Sequence, residues 1–571
     1  MTGFPMLPFT TRLNASTKTT VLRQHFFRRF FDNDSLSWQG ETETTIIRAA
    51  CACAVPGLMI AFWLLPQYPI FRSTWGKVTD RYTFVLLSYV IMGIVTTFEW
   101  EMLFPDRSDF QILLPLPLQA RELFLAKSGA LLLFLGLFLF ASNFLGLIIF
   151  SMAKTGPHGN YFYTAYAHAI ATAAAGICSS ASVLAVEGLA IGLLPHRWLR
   201  RVAPLLQAAM IAFFLLMLML FPLLGTRLQP FLEGRAAMAA YLPPLWFLGL
   251  YEQLLLGISA PSGAAALART GLWFTLIALA VAAISYPIAW SRQKRYALEG
   301  LPGKRRNNLL LYRWVDRYLL QQPQERAVFH FIHQTLFRNE HYRIYLAIYT
   351  GIGVAFTLAV AVRLQFTADN RLIFAIAPFG LRAAMPLLLF WLAVGLRMVF
   401  GFPVNMRARW VFVMHLLRHG KHIHATRVWT LLCFAALTFC ITAVLFAAGW
   451  RGWLLSLQLL WGAAISLLLT DVFFFQSVRI PFTYPRLPGR VNLPITMLLF
   501  IVVFPAFVIL SVYLELRSES QWTILLRTWI GIAFLHALLS LAARFFQPDT
   551  VIGFSAEEPE DEFQLLGLSA Q

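Results

Sequence analysis

Apolar residues run through this chain in blocks of about 20, broken by shorter polar stretches, and a helix of about that length crosses the roughly 30 Å of membrane hydrocarbon. The pattern predicts twelve spanning helices. Six lie near 46–65, 83–103, 128–152, 161–194, 203–224 and 270–290. Six more lie near 343–362, 383–402, 428–450, 453–475, 492–514 and 523–545. The stretch at 161–194 is long enough to hide a kink or a break. The fold class predicted is all-α: a polytopic membrane protein of about 12 transmembrane helices in two pseudo-repeated six-helix halves.

The polar segments divide the chain further. Residues 1–45 precede the first six-span domain at 46–290. A basic linker at 291–342, with Lys304-Arg305-Arg306, leads to the second six-span domain at 343–545 and an acidic tail at 546–571. Weak internal similarity points to duplication. Phe30-Phe31-Asp32-Asn33-Asp34 precedes the first span and Leu336-Phe337-Arg338-Asn339-Glu340 the seventh. Phe104-Pro105 ends the second span and Phe402-Pro403 the eighth, each followed by a loop rich in Arg and Leu. Glu187 in the fourth span matches Asp471 in the tenth. An even number of spans per half relates the halves by an axis along the membrane normal. The outer loops at 225–269 and 515–522 differ in length and break the match.

Composition narrows the class. The chain is 58% hydrophobic and 13% charged, with a mean hydropathy of +0.65. Half the usual charge content, spread over 571 residues, excludes a soluble enzyme, a disordered chain and a fibrous one. The balance of 46 Lys+Arg against 27 Asp+Glu gives +19. In this setting it reads as cationic loops facing an anionic leaflet, with no role for nucleic acid. The short loop carrying Arg197, Arg200 and Arg201 places both termini in the cytoplasm. The first 45 residues hold five cations but no uninterrupted apolar core, so the first span is expected to leave its N-terminal side inside. Cys51, Cys53, Cys178, Cys433 and Cys440 lie in apolar stretches with no CxxC spacing and read as packing residues.

Several segments carry candidate chemistry. Phe26, Phe27, Phe30 and Phe31 form a helical stripe flanked by Arg23, Arg28 and Arg29. It predicts a helix in the inner interface, phenylalanines toward lipid and cations toward headgroups, able also to dock a subunit. In the 105–127 loop, Pro105 can start a new helix and Asp106 or Ser108 can cap it. Charges within spans are costly. Glu99 and Glu101 end the second span and Arg397 the eighth. Superposing the two Phe-Pro pairs puts Glu99 opposite Arg397, as expected of a gate pair between the halves. Glu187 and Asp471 lie near the inner boundary and read as interfacially exposed. His415, His419, His422 and His424 can share a helical face, but beside Arg418 and Lys421 they read as a cationic surface segment with no metal. The tail, with six acids and no Lys or Arg, reads as a solvated end.

The run "FEWEMLFPDRSDFQILLPLPLQARELFLAK" resembles the coupling segment of ABC exporter permeases of the second type (ABC-2). The layout is similar too: an amphipathic helix, six spans, and a long outer segment between the fifth and sixth. The likeness covers 21–290 and, more loosely, 326–545. It implies two permease halves fused in one chain of a bacterial cytoplasmic membrane, with no catalytic residue of its own. It further implies a separate ABC ATP-binding subunit, two copies in all, carrying ATP and Mg and docking on 21–31, 105–127, 327–340 and 403–427. Pro105, Asp106, Arg107, Asp109, Arg121, Arg407 and Arg409 would make those contacts, with membrane lipids around the spans. No GxxxxGK[ST] phosphate loop occurs in this chain. Two rivals stand beside this reading. A major-facilitator-like secondary transporter shares the six-plus-six layout but wants carboxylates deeper in the membrane. A membrane glycosyltransferase needs acids in the first outer loop, where only Asp80 is available.

Overall fold

The computed structural model describes residues 15–30, 42–68, 72–100, 119–153, 160–225, 228–234, 241–299, 315, 317–320, 322–366, 372–402, 421–474, 480–483 and 499–546. The chain is an all-α polytopic membrane protein. Among the described residues, eleven helices are long and apolar enough to cross a membrane. The expected eleventh span, at 492–514, differs. The described helix there opens as a π turn over Leu499–Val503 and is α-helical only from Phe504 to Ser520. Pro505 explains the change of pitch, because it has no N–H for the α-helical bond to the preceding turn.

The chain divides into two compact units. The first comprises Met1–Arg305, Thr350–Gly380 and Pro488–Val491. It begins with α1 (Ala15–Arg29) and the spans α2 (Thr42–Leu64), α3 (Thr74–Phe98) and α4 (Ala120–Ser151). The spans α5 (Tyr161–Leu193) and α6 (His196–Met219) follow. Two short helices, α7 (Phe221–Gly225) and α8 (Leu228–Leu232), lead to α9 (Pro243–Leu256) and the long span α10 (Ala264–Glu299). α3 is the central helix and packs on α4, α5, α6 and α9, while α4 is gripped by α1 and α2.

Three expectations change here. α5 is one helix of 33 residues, with no break at its glycines. At 1.5 Å per residue it is about 50 Å long, more than the hydrocarbon thickness, so it tilts or projects. Two of the N-terminal phenylalanines do not face lipid. Phe26 and Phe30 are buried against Leu123, Ala126, Ala130 and Phe134 of α4, with the Phe30 and Phe134 rings stacked at 4.9 Å. A protein groove of matching shape gives the stripe more dispersion contact than fluid acyl chains would. The segment expected as an outer loop at 225–269 contains α9, which is buried on nearly all sides between α3, α5 and α10. Its sequence, apolar around the whole circumference, requires that environment.

The second unit comprises Arg306–Tyr349, Leu381–Leu487 and Asn492–Gln571. It contains α11 (Pro323–Arg338), started by a capping box between Gln322 and Glu325, and the first part of α12 (Glu340–Ala361). Most of α13 (Pro378–Phe400), then α14 (Lys421–Ala447), α15 (Trp453–Phe474), α16 (Phe504–Ser520) and α17 (Trp522–Phe546) complete it. α13 is its buried centre. Phe390 lies 4.6 Å from Phe504 of α16, and Phe400 packs on Trp429 and Phe474. α17, by contrast, carries large apolar side chains such as Phe534 and Ile530 outward, as a lipid-facing helix does.

The link between α12 and α13 is an antiparallel hairpin that the hydrophobic pattern had not suggested. β1 (Val362–Phe366) pairs with β2 (Leu372–Ile376), with Val362 opposite Ile376 and Phe366 opposite Leu372. Its strands, VRLQF and LIFAI, are short and rich in β-branched and aromatic residues.

Candidate functional site

In the first unit, a polar cluster sits at the end of the bundle away from α1. Arg81 projects from the first turns of α3 into the core, where only 4% of its side chain is accessible. Its Nη1 donates to both carboxylate oxygens of Glu252 on α9, at 2.8 and 2.7 Å, and Glu252 is fully buried. The guanidinium also lies 5.7 Å from the Tyr251 ring centroid, and the Tyr251 hydroxyl is 3.2 Å from His168 Nδ1 on α5. Beside them, buried Asp80 accepts from Tyr68 Oη at 2.9 Å and from Arg72 Nε at 2.8 Å, with a second Arg72 contact through Nη2. Burial and the Asp80 carboxylate push the Tyr68 phenol well above its ordinary range, so it stays a donor. Charges this buried are tolerated because each is paired and hydrogen-bonded.

The second unit repeats the motif. Arg382, in the first turns of α13, donates through Nη1 to Glu515 of α16 at 3.3 Å and through Nη2 to Glu519 at 2.8 Å. Gln458 of α15 donates to the same Glu515 oxygen, and the Trp450 ring lies 5.3 Å from the guanidinium. In each half, therefore, an arginine entering on the second span meets a fully buried glutamate contributed after or by the fifth. Sequence reading missed all four residues. The available signal was a lone acid inside an apolar run, PPLWFLGLYEQLLL for Glu252.

At the α1 end of the first unit and the α11 end of the second, the matched acids Glu187 and Asp471 are 1% and 2% exposed. Interfacial exposure is thereby overturned for both. They sit on the inward faces of α5 and α15, where helices packed on either side shut out solvent. Asp471 is bonded by Arg427 of α14 and by His536 Nδ1 of α17 at 2.9 Å. Glu187 has no such company. Its neighbour on α10 is Tyr286, which itself hydrogen-bonds Ser128 of α4.

The residues expected to contact an ATP-binding subunit are placed unevenly. Pro105, Asp106, Arg107, Asp109, Arg407 and Arg409 lie outside the described residues. Arg121 is exposed in the first turn of α4, beside the capping box of Gln119 and Glu122. Residues 120–127 thus belong to the third span's own helix, which starts earlier than the apolar pattern alone implies. Glu99 is the buried C-cap of α3 and Arg397 is exposed in the last turn of α13, in different units. His415 and His419 also lie outside the described residues. His422 is buried rather than a surface residue, because its helix packs on α11, and His424 Nδ1 is 3.6 Å from Glu325. Among the described residues no three His, Cys, Asp or Glu side chains converge as metal ligands.

Both helices that precede a six-span half dock in the same way. α1 packs along the start of α4, the third span of its half, and α11 packs along the start of α14, the third span of the other. Lys127 of α4 reinforces the first contact, with its ammonium 5.2 Å from the Phe26 ring centroid. No protein family, no curated protein and no solved structure matches the chain.

Proposed function

We propose that this chain is the membrane-spanning subunit of an ATP-driven exporter of the ABC-2 type, two six-span halves fused in one polypeptide. The observation that carries the reading is the repeated docking of α1 on α4 and of α11 on α14. Each docked helix lies at the end of the bundle where its half's second span ends and its third begins, the two joined by the second-to-third-span loop. A force applied to that loop would reach the third span and the docked helix as one body. In this reading the α1 and α11 ends face the cytoplasm. Two copies of a separate subunit bind ATP and Mg there, and hydrolysis takes place on that subunit. The chain itself performs no catalysis.

Mild-detergent purification of the tagged chain tests this. A stoichiometric ATP-hydrolysing partner, lost when 105–118, ahead of α4, is replaced by a Gly/Ser linker of equal length, is the expected result. A clean single chain without ATPase activity, under conditions that preserve other membrane complexes, contradicts it.

A second reading, the ion-coupled secondary transporter, gains from one specific observation. Glu187, Glu252, Asp471 and Glu515 are buried within the helical units, which is where such a transporter needs its carboxylates. Substrate uptake or efflux by the partner-free chain in proteoliposomes, driven by an ion gradient alone, would favour it.

A further inference from the structure

The matched acids of the two halves are served by the same three helices, and the helices serve them differently. In the second unit, the third, fourth and sixth spans bring together Arg427, Asp471 and His536. In the first unit, the third, fourth and sixth spans bring together Ser128, Glu187 and Tyr286. Arginine and histidine are replaced by two hydroxyls, so the positive charge is gone while the acid is kept.

Among the described residues, neither oxygen of Glu187 has a hydrogen-bond partner. Among the described side chains, none of the charged and titratable groups on the surrounding helices bonds it. On α10, Tyr286 bonds Ser128 and Arg292 donates to the Gly192 carbonyl. On α4, Lys127 lies over Phe26. On α3, Glu99 is itself an acid, buried at the helix C-terminus, and on α9, Glu252 is held by Arg81. On α6, Arg201 is exposed. Water is excluded by close helix packing. A Cβ at Gly188, the next residue, would overlap Ser285 of α10, so glycine lets the two helices meet there. A bare carboxylate in such a place is far more costly than a neutral acid, which leaves only one O–H and one carbonyl to satisfy.

We propose that Glu187 is a proton-binding site, a carboxyl that holds its proton while α5 and α10 are closed on each other and releases it to water when they part. The ligand is the proton itself: the O–H bond breaks, water takes the proton, and the carboxylate stays on Glu187. Asp471, bonded by Arg427 and His536, is its partnered counterpart. The proposal is independent of what drives transport.

Infrared difference spectroscopy on the purified full-length chain at neutral pH tests it. Wild type minus Glu187→Gln is expected to show one protonated-carboxyl C=O stretch, shifted in Glu187→Asp. Dicyclohexylcarbodiimide, which modifies protonated buried acids, is expected to label Glu187 and to label it less as pH rises. Carboxylate stretches in the Glu187→Gln difference would overturn the proposal. So would carboxylate bands at Glu187 that respond to exchanging sodium for potassium, which would assign the site to a metal cation. If Glu187→Gln does not fold, the band shift in Glu187→Asp and the labelling of wild type decide the matter.

Discussion

Arg81 and Glu252 stand 171 residues apart in the chain and meet as a two-point ion pair that neither side chain shares with solvent. The pair fastens α9, which would otherwise be a loop between the fifth and sixth spans, to the start of α3. Removing one partner strands the other as a buried charge, which costs about 3–5 kcal/mol. Arg81→Ala and Glu252→Ala are each expected to lower the melting temperature of the detergent-purified protein sharply. Arg81→Met with Glu252→Leu is expected to recover most of the loss. A double variant as unstable as the sum of the two singles would show that the pair is not coupled.

The same logic makes Arg382 and Glu515 the matching fastening of the second unit, but with a difference. Glu515 also accepts from Gln458, so removal of Arg382 leaves it one donor. Arg382→Ala is therefore predicted to destabilise less than Arg81→Ala, and adding Gln458→Leu to widen the loss beyond the sum. Thermal unfolding of the three variants, read side by side, checks the order.

Phe26 and Phe30 hold α1 on α4, and truncating a buried phenylalanine costs about 3–5 kcal/mol. Either Phe→Ala change should raise hydrogen exchange throughout 15–29 while leaving the core of α3 protected. Val21, which is exposed, should tolerate the same change. Unchanged exchange in Phe26→Ala would mean that α1 is held by something other than its aromatic stripe.

Acid should loosen α11. His333 is half-buried on that helix, and burial, with His330 nearby as the lesser cause, lowers its pKa below the usual 6.5. The folded state thus favours the neutral ring more than the unfolded state does. The stabilisation is full above about 6.5 and is lost as pH falls through that value toward the folded pKa. Exchange of the 323–338 amides should rise on acidification in wild type, and His333→Gln should flatten the response.

The spans were legible because hydrophobicity over 20 residues is a sum, and a sum survives a few contrary residues. That same averaging hides the residues that matter most. One acid among the apolar side chains of α9 barely alters its hydropathy, and its partner Arg81 lies six helices away. The Phe26 and Phe30 stripe was readable as a helical face, but the alternation does not say whether lipid or α4 covers it. Glu187 and Asp471 looked alike in sequence because their environments are set by Tyr286, Arg427 and His536, which come from other spans. The strands 362–366 and 372–376 went unread because each is too short for periodicity to stand out beside the neighbouring spans.

The exporter reading stands or falls on what touches the loops after the second and eighth spans. A photo-crosslinking amino acid placed at Asp109, and separately at Arg409, can be activated in intact membranes and the adducts identified by mass spectrometry. Both positions are expected to capture the same ATP-binding protein, with a yield that changes when nucleotide is trapped. Adducts to lipid alone from both positions, in a chain that is folded and membrane-inserted, would contradict it.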